Sequence, residues 1–140
     1  MRYLMFVCVD PSAEPFDPAQ DNTEEWVSSN DRKGSRIIGN RLDHVSKAKT
    51  VRVRRGQLLV TDGPFAETKE WIAGFDLLNC GNIEEAIEIA SLHPMARFGK
   101  IELRALWTRE WERRPPEAAT SWARWTRTAS AGVGAATRNG

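Results

Sequence analysis

This sequence has little that could staple or metallate a fold. Its 140 residues include two cysteines and two histidines. Cys8 and Cys80 stand far apart and match no metal or redox spacing. The histidines and carboxylates form no zinc or iron pattern, so neither a metal nor a cofactor is expected. With no secretory signal, both cysteines read as reduced thiols of a cytoplasmic protein. Excess charge is also missing. Twenty basic against 19 acidic residues leave about +1, which gives no general drive toward nucleic acid or a membrane. Long apolar runs are absent too. The run from Tyr3 to Val9 is too short to span a bilayer and lacks a small-residue cleavage site before Asp10-Pro11. There is no Gly-rich phosphate loop, no nucleophile elbow, no kinase-like text and no internal repeat. What remains is enough chain for one domain whose core needs no disulfide or metal, with room for an appendage.

The run Tyr3–Val9 reads as a buried first strand. Pro11, Pro15 and Pro18 then make a loop. Asp17-Pro18-Ala19-Gln20 has the form of a capped helix start, which predicts a helix from there to about Lys33, stopped by Gly34. Ser35 to Ile38 is a short extended piece, and residues 39–48 are polar and irregular. In "TVRVRRGQLLVTD" Val51 and Val53 alternate with Arg52 and Arg54, the period of a half-buried strand. Arg55-Gly56 turns the chain back into a second strand. "AGFDLLNC", residues 73–80, is another strand. Asn82 then caps a helix whose Ile83, Ala86, Ile87 and Ala90 share one face, with Glu84 and Glu85 in its first turn and Pro94 as its stop. "KIELRAL", residues 100–106, alternates as a last strand. Helices interleaved with a hairpin-containing antiparallel sheet predict an α+β ferredoxin-like sandwich.

Composition shifts at Trp107. Residues 107–140 hold four of the six Trp and six Arg against three Glu. The domain is therefore placed at 1–106, followed by a Trp- and Arg-rich extension at 107–140. A break is expected at Pro115-Pro116, and the last ten residues are expected to be disordered. Trp107 with Trp111, and Trp122 with Trp125, have helical spacing, so the indoles are expected to dock on the domain, a second subunit or another protein.

"TDGPFAETKE", residues 61–70, resembles the signature of the DGPFAETKE family, a branch of the YCII-related proteins. "MRYLMFV", "TVRVRRGQLLV", "GFDLLNC", "IEEAIEIASLHP" and "GKIELRAL" fit the same family over residues 1–106. The resemblance implies a ferredoxin-like subunit that pairs sheet to sheet into a dimeric α/β barrel. It implies no single reaction. In the wider group a dehydrochlorinase acts on a chlorinated hydroquinone, with a His-Asp pair proposed as its reactive core. Members of this branch are often encoded beside extracytoplasmic-function sigma factors, which implies a sigma factor as a partner. Asp43-His44 and His93-Pro94 depart from the family's usual text.

Candidate chemistry starts at Asp62. An Asp before Gly-Pro either accepts backbone N–H bonds as a turn residue or acts as a general base at the mouth of a cleft. Glu67 and Glu70 would raise its pKa and Lys69 would oppose them. His44, loop-borne beside Asp43, is the second catalytic candidate, against a plain surface role. His93 is either a ligand contact or a cap on a helix C-terminus. Arg52 and Arg54, with Arg36 and Arg41 nearby, are either a solvated sheet face or a ring around a planar anion. The candidate set is thus Asp62 and His44 for catalysis, and Arg52, Arg54, Glu67, Lys69 and His93 for binding.

Three functions follow. One is an uncharacterised small-molecule-binding homodimer accessory to a sigma-factor pathway. Another is a cofactor-independent lyase or isomerase acting on an aromatic or small acidic substrate. The last is a protein-interaction module working through the Trp-rich tail. No nucleic acid or membrane partner is expected.

Overall fold

The computed structural model describes residues 1–65 and 69–107. The chain divides into two units, Met1–Leu106 and Trp107–Gly140. The first unit is built from β1 (Arg2–Cys8), α1 (Thr23–Lys33), β2 (Arg36–Arg41), β3 (Lys49–Arg54), β4 (Gln57–Asp62), β5 (Ile72–Asn79), α2 (Ile83–Ser91), α3 (Met95–Phe98) and β6 (Lys100–Ala105). Strands β2, β5, β1 and β6 form a four-stranded sheet in that order, every neighbour antiparallel. With β3 and β4 set aside, this order is that of a ferredoxin-like sandwich. The two remaining strands form a separate hairpin inserted between β2 and β5.

Alternation along β1 sends Tyr3, Met5 and Val7 to the helix face, where they are buried, and leaves Leu4, Phe6 and Cys8 half-buried on the other. Opposite residues share a face, so Leu78 joins Tyr3's side, while Leu77 and Phe75 join Leu4 and Phe6. The helices contribute Trp26, Ala86 and Ala90 to the core. Trp26 also donates its indole N–H to the Ile89 carbonyl at 2.9 Å, tying α1 to α2.

Helix α2 is as its capping residues dictate. The Asn82 side chain accepts from Glu85 N–H at 2.9 Å, and Glu85 accepts from Gly81 N–H at 2.7 Å. Gly34 takes φ 71° and returns its N–H to the Asn30 and Asp31 carbonyls, closing α1. Arg55 and Gly56 both have positive φ, 53° and 74°, as a two-residue turn of type I′ requires.

Several expectations are corrected. The Asp17 carboxylate caps only a three-residue 3-10 turn, Pro18–Gln20. The helix proper starts at Thr23, because Asp21 accepts both the backbone N–H and the hydroxyl of Thr23 and re-initiates the chain. Strand β2 continues to Arg41, into the stretch expected to be irregular. Helix α2 ends at Ser91 rather than at Pro94, and Pro94 instead opens the short α3. Strands β3 and β4 are not half-buried. Thr50 is the one position of the twelve that is not exposed. Leu103 pairs with Met5 and packs on the core from the helix face of the sheet.

Among the described residues no helix is long and apolar enough to cross a membrane.

Candidate functional site

One strand position organises the chemistry. Asp76 sits on β5 among apolar neighbours and faces the helices, 7 % exposed. Its cross-strand partner is Gly39. A Cβ on residue 39 would collide with the Asp76 carboxylate and lie 2.6 Å from the Phe75 carbonyl, so glycine is what admits the acid there. Arg36 on β2 donates from Nε to Asp76 at 2.6 Å and from Nη1 to Asp31 at 2.9 Å. Burial pushes the Asp76 carboxyl above its ordinary range, outweighing the hydrogen bond and charge of Arg36. For Arg36, burial acts to lower the pKa, but the bonds to Asp76 and Asp31 outweigh it and the group stays firmly charged.

His93 approaches the same place from the loop after α2. It is 6 % exposed and stands edge-on to Trp26, ring centroids 4.8 Å apart. Burial pushes its pKa down from 6.5 to about 4, with a small opposing effect of Asp21. A neutral imidazole therefore occupies the site at neutral pH. Its Nδ1 accepts the Met95 backbone N–H at 3.0 Å, which places the remaining proton on Nε2. His93 does not cap the C-terminus of α2, which ends at Ser91; its ring is neutral and accepts the N–H of Met95, the first residue of α3.

These groups line one cavity of about 170 Å³. Asp76, Arg36, His93, Arg41, Asn40, Asp21 and Thr23 supply its polar walls, and Val7, Phe16, Val27 and Met95 its apolar ones. Thr23 holds Asp21, and that hydrogen bond lowers the Asp21 carboxyl below its usual range. Arg41 makes no ion pair among the described residues. The cavity thus holds the Arg36–Asp76 ion pair, an N–H donor on a neutral ring, and the Arg41 guanidinium with the Asp21 carboxylate, whose pKa the charge of Arg41 helps to lower. Among the described residues no group of three or more His, Cys, Asp and Glu could hold a metal ion.

Of the residues singled out in the sequence, His93, Arg36 and Arg41 line this cavity, and the others lie elsewhere among the described residues. Asp62 ends β4, its side chain 82 % exposed, in an ion pair with Lys49. Among the described residues the turn is held by Gly63 N–H donating to the Ala48 carbonyl at 2.8 Å and by the Thr50 hydroxyl donating to the Gly63 carbonyl. Arg52 and Arg54 stand exposed on the hairpin, and Lys69 is exposed. Glu67 lies outside the described residues, as do Trp111, Trp122, Trp125 and the last ten residues. His44 caps a 3-10 turn, its Nδ1 accepting from Ser46 N–H at 3.1 Å. It lines a second, largely apolar cleft with Leu42, Phe65 and Trp71, which Asp62 does not join. Asp76 escaped notice in the sequence although it carries a signal there: a lone carboxylate in the middle of the apolar run Gly74–Leu78, where a charge is costly unless paired.

A model of the YCII-related domain matches residues 1–112 of the sequence. The chain belongs to the YCII-related family. Over 50 residues it is also 46 % identical to an uncharacterized protein of Rhizobium meliloti (strain 1021), a match that covers 36 % of this chain and 40 % of the relative. The chain thus spans less than half the length of that relative. In this YCII-related domain Asp76, Arg36, Arg41 and His93 line one cavity, while Asp62 and His44 lie outside it.

Proposed function

We propose that this YCII-related chain is a small-molecule-binding homodimer whose ligand is a ring-sized carboxylate seated in the Asp76–His93 cavity. The observation that carries this reading is the cavity's polar inventory. Arg36 is taken up by Asp76 and Asp31, whereas Arg41 makes no ion pair among the described residues and acts on Asp21 through charge alone, so Arg41 is the cation placed to meet an anion, and a guanidinium fork suits a planar carboxylate. His93 presents Nε2–H as a donor. The volume of about 170 Å³ is close to that of a cavity that accepts benzene. The open sheet face, with Leu4, Phe6, Phe75 and Leu77, supports pairing with a second copy.

Acid–base chemistry is the second reading. It is less well supported, because Nδ1 of His93 is already used as an acceptor and Asp76 is engaged by Arg36. The test is calorimetric titration with benzoate and with its uncharged counterpart benzamide. Benzoate binding that is lost in Arg41→Ala and absent for benzamide supports the reading. Equal binding of both, or binding unchanged in Arg41→Ala, overturns it.

A further inference from the structure

The β3–β4 hairpin pairs only with itself among the described strands. Val51 opposes Val60 and Val53 opposes Leu58, so these four share one face, each between 54 % and 66 % exposed. The other face carries Arg52 opposite Leu59 and Arg54 opposite Gln57. A two-stranded hairpin with an unburied apolar face is marginal in water on its own. This one is held at its root by the Lys49–Asp62 ion pair and by Thr50 donating to Gly63.

We infer that the hairpin is an arm that grips the body of a second copy of this chain. The inference rests on the homodimer reading above and adds to it the element that does the gripping. Charge points to the occupant. Residues 49–62 hold four basic and one acidic residue, a net of +3, while the rest of residues 1–106 holds ten basic and fifteen acidic, a net of −5. The body of a second copy is therefore complementary to the arm, and steering between them is self-consistent within one sequence. Area points the same way. Four aliphatic side chains exposed to this degree present roughly 300 Å² of apolar surface per arm. Two arms embraced reciprocally, with the matching area on both bodies, remove about 1,200 Å² from water, at the lower end of stable interfaces before any sheet face is added.

The experiment is sedimentation equilibrium of the intact chain and of Val53→Thr/Leu58→Thr. Both residues are exposed in the protomer and threonine favours strands, so the variant keeps the fold. An amide spectrum with unchanged four-stranded-sheet resonances checks this. The arm predicts a dimer whose dissociation constant rises about 100-fold in the variant and several-fold on raising salt. In a mixed sample of isotope-labelled and unlabelled copies, it also predicts contacts between copies from the Val51 and Leu58 methyls. A dimer with an unmoved dissociation constant and no such contacts overturns the arm and leaves the homodimer standing. A monomer overturns both.

Discussion

Replacing His93 with asparagine isolates the pH dependence that its burial builds into the fold. In the folded chain His93 titrates near 4, against 6.5 for a free side chain. The unfolded chain therefore takes up a proton as pH falls through about 6.5, and the folded chain does not until about 4. Stability is thus fully present above pH 6.5 and is lost as pH falls toward 4, at up to about 1.4 kcal/mol per pH unit. From pH 8 to pH 5 the loss is about 2 kcal/mol, a large share of the stability of a small domain. In His93→Asn the new side-chain oxygen is available to the Met95 N–H in place of Nδ1, so α3 keeps its cap. The variant loses the ring contact with Trp26, which lowers stability by a pH-independent amount. Asp10, Asp21 and Asp43 titrate below the usual carboxylate range through local hydrogen bonds, Ser12 and Thr23 holding the first two and Lys47 the third. The effects of Asp10 and Asp43 are common to both proteins and cancel, while Asp21 also feels the charge of His93, and that part of its shift is lost with the ring. The assay is urea unfolding followed by far-ultraviolet circular dichroism at pH 8 and pH 5. The wild type is expected to lose about 2 kcal/mol more than His93→Asn over that interval. Parallel losses would refute the buried, neutral imidazole.

Other substitutions test the surroundings of the same cavity. Asp76→Ala leaves Arg36 buried with only Asp31 for company and is expected to cost about 3 kcal/mol. The double change Asp76→Leu/Arg36→Met should cost clearly less than the sum of the single changes, and an additive double-mutant cycle would deny the coupling. Gly39→Ala should cost about 3 kcal/mol, because its methyl has no room beside the Asp76 carboxylate and the Phe75 carbonyl; a thermal melt unchanged from wild type would contradict the packing. Asp62→Asn should cost less than about 1 kcal/mol, since the Lys49 pair is exposed, and a larger loss in urea unfolding would mean that the carboxylate holds the turn after all.

Local signals were legible in the sequence wherever a few neighbouring residues decide the outcome. The Arg55-Gly56 turn and the Asn82 cap with Glu85 are of this kind, and so is the Gly34 stop. The order of interleaved strands and helices pointed to the ferredoxin-like class for the same reason. What escaped reading depends on residues far apart in the chain. Alternation in β3 is the same whether a strand lies half-buried in a sheet or stands out in water, so the exposed hairpin could not be told from a core one. Asp76 becomes intelligible only beside Arg36, forty positions away, and Gly39. His93 lies after α2 in a segment with no periodicity, and its burial is decided by Trp26 on the other helix. Asp62 drew notice for its density of ionisable neighbours, yet density on a turn is also what solvent permits.

The cavity as ligand site is tested most directly by a crystal structure grown with saturating benzoate. The account predicts the carboxylate within hydrogen-bond distance of the Arg41 guanidinium, with the ring against Phe16, Val27 and Met95 and Nε2 of His93 turned toward the ligand. An empty cavity, with benzoate absent or lodged instead beside His44 and Phe65, would contradict it.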